Sequence, residues 1–436
     1  MRSKLTNPIS IAPLITFRIL FGLLCFLGLL WSVGKNELAE RYFNTQFHFK
    51  YWGFEWLPYP GDNGVVLLYV LAAVSALGIA FGAFYRLSVL LFALSFSYLH
   101  TVDSTNYINH YYLIWIFALY LLFAPANAAF SIDSRMGWVK KRTEIPGFYL
   151  LLFLVQIGIV YTFAGIAKIN SDWIFSAMPM KIWLGQQVDF PILGALFGQN
   201  WVHFTMSWFA VFYDLTIFSW LLWSKSRPYA YMAVLVFHLL TSLLFDIGLF
   251  PPLMIVACTL FLSAETHLKL LSKLGFKPIE NNSSALKVNK IQLLFFTVFL
   301  IIQTLLPVRH LFFSNENILW TQDYYRYGWR LMLVENEGFV TFTVRDKYSD
   351  RFWVVDNSEF LSPYQIKRMS VQPEHIRQFA HYLSDVYAKK FLIRNPIVNA
   401  DVFVSLNGRP SKRLIDPKVN LAEIKDSWHQ KTWILR

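Results

Sequence analysis

The stretch YLLLFLVQIGIVYTFAGIA, Tyr149–Ala167, contains no charged side chain, and the residue that follows it is Lys168. A helix needs roughly 20 apolar residues to cross a hydrocarbon core, so the stretch reads as a membrane span that closes on one amine. Eight further apolar runs meet or approach that length: Ile11–Val33, Val65–Phe84, Leu87–His100, Tyr107–Ala124, Phe204–Trp223, Tyr229–Phe245, Gly248–Ala264 and Ile291–Val308. Of the nine in chain order, the third, seventh and eighth are short, as expected of helices with little tilt or partly buried among neighbours. Ile11–Val33 follows Arg2 and Lys4 as a signal peptide would. It is long enough to span and no small-x-small cleavage site follows, so it reads as a retained first helix.

Composition agrees. Of the 436 residues, 56% are hydrophobic and 15% charged, whereas a soluble domain carries roughly 25% charged residues. The net charge of +12 is dispersed over short loops, which argues against a nucleic-acid surface. With nine spans, Arg2, Lys4, Arg86, Arg135, Lys140, Lys141, Arg142, Lys225, Arg227, Lys269, Lys273, Lys277, Lys287 and Lys290 all fall on one side. Glu37, Glu40, Glu55, Asp62, Asp103, Asp172, Asp189 and Asp246 fall on the other. The positive-inside rule then predicts a cytoplasmic N-terminus and an extracytoplasmic C-terminus.

The expected architecture is mainly α: a polytopic membrane bundle of about nine transmembrane helices over residues 1–308, with a soluble C-terminal α+β module over 309–436 outside the cytoplasm. In the module, Phe339–Asp346 and Arg351–Asp356 read as strands from their β-branched and aromatic content. Pro373 opens a helix with Ile376, Phe379, Leu383 and Val386 on one face. Ile397–Leu406 reads as a strand ending in a turn at Asn407-Gly408. Cys25 and Cys258 both lie in apolar runs, so neither belongs to a disulfide framework; both read as small buried side chains.

Ionisable groups within a bilayer are costly and tend to be functional. Arg18, His110, Lys168, Asp214 and His238 are the ones in question. Lys168 reads either as a lysine snorkelling to the membrane edge or as an amine in an apolar pocket, where desolvation favours the neutral, basic form. His110 reads either as a hydrogen-bonded structural group or as a partner of Lys168, because the fourth span begins and the fifth ends on the same side. His238 falls mid-membrane. Arg18 and Asp214 read as buried structural partners. No metal-ligand spacing, phosphate loop, GxSxG or Rossmann fingerprint stands in a fitting place.

Five blocks, in order along nearly the whole chain, resemble the vitamin K-dependent γ-glutamyl carboxylases and their bacterial homologues, the HTTM group. They are Phe84-Tyr-Arg-Leu-Ser88 with Asp103–Tyr112 and its Asn109-His110 pair; Phe163–Trp173, which holds Lys168 and has Asn170 where the family motif has Asp; Phe237-His238 through Phe250; Trp320 to Tyr325, Tyr327 and Trp329–Met332; and Asp401–Arg409 with Arg413–Pro417. Two departures accompany them: Glu335 and Asn336 stand where the animal enzymes carry basic and histidine residues, and the chain ends soon after Trp433 where those enzymes continue into a further β-rich part.

The resemblance implies that a reduced naphthoquinone, vitamin K or menaquinol, is deprotonated by an enzyme amine, reacts with O2 and becomes a base strong enough to take the γ-proton of a glutamate. The carbanion then captures CO2 and the quinone leaves as its epoxide, with no metal. On this reading Lys168 is the amine base and His110 acts with it. Asn109 donates to the oxygen site, His238 contacts the quinone, and Trp320, Tyr325 and Trp329 line the route where quinone and peptide meet. Arg409 and Arg413 read equally as carboxylate partners of the substrate or as surface arginines. Two alternatives stay open: a quinol oxygenase that epoxidises without carboxylating, and a non-enzymatic quinone- or lipid-binding membrane protein. The expected partners are a membrane quinone and a glutamate-containing peptide or protein, and the expected location is a bacterial inner membrane.

Overall fold

The computed structural model describes residues 5, 7–43, 45–276, 288–313, 317–349, 351–427 and 431–436. Arg2, Lys4, Lys277 and Lys287 of the charge pattern lie outside the described residues. Each apolar run forms a helix: α1 Ala12–Gly34, α2 Gly61–Phe81, α3 Tyr85–Thr101, α4 Asn109–Phe123, α5 Gly147–Ala167, α6 Asn200–Leu222, α7 Arg227–Leu244, α8 Phe250–Cys258 followed by α9 Ala264–Lys273, and α10 Lys290–Leu305. Six of them (α1, α2, α5, α6, α7 and α10) are long and apolar enough to cross a membrane, and a seventh joins if the pair bent by 114° at Leu262–Ser263 is one span. The chain is an integral membrane protein with a helical bundle.

The count differs from the nine expected because α3 and α4 have only 17 and 15 residues. Their neighbours compensate: Val89, Phe92, Leu99, Leu113, Phe117 and Leu121 are all fully buried. Close approach does much of the packing, as in membranes where small residues let backbones meet. A Cβ on Gly22 of α1 would stand 2.5 Å from the Ala80 nitrogen of α2. Arg18, fully buried, donates to the carbonyls of Ile79 (3.3 Å) and Phe130 (2.6 Å), so it closes the end of α2, where carbonyls lack helical partners. Arg18 is thus a structural partner, as expected. Cys25 and Cys258 are free and buried. A short antiparallel pair, β1 Pro8–Ser10 and β2 Glu144–Pro146, ties the entry of α1 to that of α5.

The C-terminal region is an α+β module. Its sheet has the order β4-β3-β5-β6, with β3 Asn336–Arg345, β4 Phe352–Val354, β5 Ile397–Leu406 and β6 Lys412–Arg413, all antiparallel. Val340, Phe342, Val344, Val398, Ala400, Val402 and Val404 alternate along the strands, point inward and are buried; Asn399, between two of them, is buried on the other face and donates to the Val419 carbonyl. They pack on α12 Pro373–Phe391, whose Ile376, Phe379 and Leu383 are fully buried. The preceding helix, α11 Pro363–Met369, begins with a Ser362–Gln365 capping box.

The module grips the loop that leads into α4. Gln365 Nε2 donates to Asp103 Oδ2 (2.7 Å), Ser104 Oγ meets His375 Nε2 (2.9 Å) and Tyr364 OH donates to the Thr105 carbonyl (3.2 Å). The start of α4, where Asn109 and His110 stand, is therefore positioned from both sides.

Candidate active site

Lys168 is the residue that caps α5. Two glycines of α5 let α6 come close: a Cβ on Gly158 would stand 2.6 Å from Phe218, and one on Gly165 would stand 2.7 Å from Leu215. Asp214, adjacent to Leu215, is thereby brought against Lys168. Lys168 Nζ donates to Asp214 Oδ2 at 2.8 Å and to the Ala164 carbonyl at 3.3 Å, and lies 5.5 Å from the centre of the Trp173 ring. The side chains of the pair are only 7% and 8% exposed. Snorkelling is excluded by that burial: the amine is turned inward onto a carboxylate.

Trp173 is held by reciprocal bonds to α6, its indole donating to the Ser207 carbonyl (2.8 Å) and its own carbonyl accepting from Ser207 Oγ (2.8 Å). Asn170 caps the helix Ser171–Ser176, accepting from the Trp173 N–H at 3.0 Å. Asn and Asp serve as N-caps about equally well, so Asn170 fills the capping task that an Asp would fill, and its amide also donates to the Ala167 carbonyl (3.0 Å), which a carboxylate would not do.

Lys168 and Asp214 open onto a cavity of about 1160 Å³, above the roughly 300–1,000 Å³ of pockets for drug-sized ligands. Asn109, His110 and His238 also line it. His238 Nε2 is bonded to Tyr161 OH at 2.9 Å, while its Nδ1 is buried without a partner among the described residues. The His110 ring lies against Gly248. Asn109 is engaged at both ends, accepting from Tyr107 OH (3.0 Å) and donating to the Arg330 carbonyl (3.2 Å).

On one side the lining comes from α6 and α7, through Phe209, Met232, Val236 and Leu240, which are also 43–59% exposed on the outside of the bundle. On the other side Glu37, Arg41 and Arg368 line it. Arg41 is paired with Glu37 at 2.8 Å. Arg41 and Arg368 both lie over the Tyr364 ring, at 5.2 and 5.5 Å. Arg368 pairs with no carboxylate among the described residues. A volume lined by apolar side chains with an amine, two imidazoles and one unpartnered ring nitrogen fits a naphthoquinol. No group of three or more His, Cys, Asp or Glu side chains among the described residues is spaced to hold a metal ion.

Trp320, Tyr325, Trp329, Arg409 and Arg413 are not part of this lining. Trp320 donates its indole N–H to the Leu435 carbonyl (2.7 Å) and packs on the module's core. Trp329 is fully buried and stacked on Tyr112 at 5.3 Å. Tyr325 is half-buried. From their block it is Leu331 and Met332 that reach the cavity. Arg409 makes a two-pronged ion pair with Asp172, which Asn407 also bonds at 2.9 Å. Arg413 pairs with Asp401 at 2.9 Å on the sheet. Sequence reasoning missed the pairing of Asp214 with Lys168, although an acid in mid-span demands a cation. It missed Arg368 altogether, and nothing in the sequence sets that arginine apart from others in the module.

A family model described as the HTTM domain matches residues 6–265. A second, described as the vitamin K-dependent gamma-carboxylase lumenal domain, matches residues 288–436. No solved structure matches the chain. The two matches follow one another as bundle and module do, and the chain belongs to the vitamin K-dependent gamma-carboxylase family.

Proposed function

We propose that this protein carboxylates glutamate side chains of a peptide or protein, using vitamin K hydroquinone or menaquinol together with O2 and CO2. The observation that carries the reading is the buried Lys168 amine, held on Asp214 in an apolar cavity that also takes Asn109, His110 and His238. Bound there, the quinol supplies on oxygenation the strong base that no side chain offers to a γ-carbon acid. Lys168 accepts a proton at Nζ, His238 uses its free Nδ1 as a hydrogen-bond partner for a quinone oxygen, and His110 and Asn109 stand at the far wall. Exclusion of water matters, because water quenches a base of that strength.

Two kinds of lining suit two substrates. The lipid-facing residues between α6 and α7 admit an isoprenoid quinone from the bilayer. Arg368, from α11 of the module, lines the cavity together with Glu37 and Arg41 and holds the carboxylate of the incoming glutamate; it takes the task that Arg409 and Arg413, already paired within the chain, leave open. The division into a catalytic membrane part over 1–308 and a module over 309–436, with the N-terminus cytoplasmic and the module outside a bacterial inner membrane, is part of the same proposal.

The test is direct. Purified protein in lipid nanodiscs receives reduced vitamin K, O2, labelled bicarbonate and a glutamate-containing peptide, and quinone epoxide and fixed label are measured together. Both products are expected, and both fall by about 100-fold or more in Lys168→Ala. Epoxide without fixed label would make the protein a quinol oxygenase; neither product would leave a quinone-binding protein.

A further inference from the structure

Among the described residues Lys168 pairs with one carboxylate, that of Asp214, and the glycines of α5 let that neighbour in. In an apolar cavity an amine that accepts a proton creates a charge that the surroundings do not solvate, and such a charge needs a partner already in place. The Asp214 Oδ2 is 2.8 Å from Nζ. It belongs to α6, whereas Lys168 ends α5, so the two approach across a helix interface that Gly158 and Gly165 keep tight. The Ala164 carbonyl takes a second direction around the nitrogen and the Trp173 ring faces it from a third side.

We infer that Asp214 is the positioning residue of the amine base: its carboxylate orients Nζ and balances the ammonium formed when Lys168 takes a proton. The inference rests on the quinol-dependent reading above. In the step, the O–H bond of the quinol breaks, its electron pair stays on oxygen, and the proton forms a bond with the Nζ lone pair. No electron is transferred, and the new positive charge sits against the carboxylate of Asp214. The neighbouring polar groups do other work: Tyr213 and Cys258 belong with Tyr161 to the His238 network, and Ser207 is bound to Trp173.

The full chain in nanodiscs is compared as wild type, Asp214→Asn, Asp214→Glu, Lys168→Ala and the double variant Lys168→Ala/Asp214→Asn, with and without ethylamine, by epoxide formation. Asp214→Asn is expected to lower kcat by about 100-fold while the quinol KM stays within about twofold, and Asp214→Glu regains part of the loss. Ethylamine restores measurable turnover to Lys168→Ala, because the added amine docks on the remaining carboxylate, and restores none to the double variant. Near wild-type kcat in Asp214→Asn, or equal rescue of the single and double variants, overturns the role of Asp214 and leaves the carboxylase reading standing. No epoxide from the wild type overturns both. Quinone binding, followed by tryptophan fluorescence, separates a variant that misfolds from one that has lost the step: a fall in turnover that tracks lost binding in every variant counts against the inference.

Discussion

Two lysines among the described residues are paired with carboxylates, Lys168 buried and Lys431 partly buried, and the contrast between them shows what a site requires. Lys431, in the C-terminal module, lies 2.6 Å from Asp323 and 3.6 Å from Glu374, and Glu374 is shared with Arg377. Lys168, in the bundle, has one carboxylate and opens onto a cavity. Lys431 lies between two carboxylates, is no part of the cavity lining, and ties the chain end to Asp323. Lys168 has what stabilises a charge and still keeps a free approach, which is the arrangement expected of a group that exchanges protons.

The largest expected effects come from removing each amine. Lys168→Met is expected to cost about 100- to 10,000-fold in epoxide formation. Paired with Asp214→Leu it leaves the fold intact, because a buried ion pair replaced by apolar groups of similar volume is often neutral. Lys431→Met leaves Asp323 and Glu374 facing one another and costs about 3–5 kcal/mol of stability, with turnover per folded molecule unchanged. Thermal unfolding and quinone epoxidation measured on the same samples test both; a Lys168→Met protein that turns over normally would erase the distinction between the two lysines.

The same contrast explains what was legible in the sequence. Local pattern carried the spans and the module: the strand Ile397–Leu406 has the expected bounds, and Ile376, Phe379 and Leu383 face the core as the helical period requires. Short spans were harder, because α4, with 15 residues, reaches its place by being surrounded, which composition does not record. The residues on α4, α5 and α7 that face the cavity follow from family blocks and from shared depth. Asp214 and Arg368 depend on which helices meet and which side chains are brought to the cavity, and neither is a property of a single segment. Arg409 and Arg413 stood out by motif, and the fold uses them between Asp172, Asp401 and the sheet.

Arg368 and Arg409 give the next effect in size. Arg368→Gln is expected to raise the KM of the glutamate peptide about tenfold, the loss of one modest charged contact, with the quinol KM unchanged. Arg409→Gln removes a half-exposed ion pair and is expected to cost no more than about 1 kcal/mol of stability, with the peptide KM unaffected. Steady-state kinetics with peptide and quinol varied separately decide between them. The reverse pattern would return the substrate's carboxylate to Arg409.

Stability against pH probes the module. Burial opposes the charge on Lys431, yet Asp323 and Glu374 hold its ammonium above the ordinary 10.5. Burial likewise opposes the charge on Glu374, and Arg377 and Lys431 hold it below the ordinary 4.5. A raised lysine contributes stability that is complete below pH 10.5 and disappears as pH rises beyond it. A depressed glutamate contributes stability that is complete above pH 4.5 and disappears as pH falls below it. With respect to Lys431 and Glu374 the unfolding temperature of the module is therefore expected to be flat between these limits and to fall outside both, while Asp323, whose carboxyl burial pushes above its ordinary 3.8, works against the acid fall. Lys431→Met removes the alkaline fall.

The smallest effect is expected where the sequence departs from the family motif. Asn170 accepts the Trp173 N–H with the same Oδ1 geometry that a carboxylate has, and the first turn of the helix it caps already carries Asp172. Substituting Asn170→Asp keeps the cap, adds a charge that the helix start tolerates, and leaves the Trp173 ring in place beneath Lys168, but it gives up the bond that the Asn170 amide donates to the Ala167 carbonyl at 3.0 Å. Stability is expected to fall by about 1 kcal/mol, the worth of that one hydrogen bond, and epoxide formation to change by less than about twofold. A large gain in turnover would mean that the family's carboxylate acts on Lys168 as well as on the backbone, and that Asp214 carries here a charge balance which other members divide between two acids.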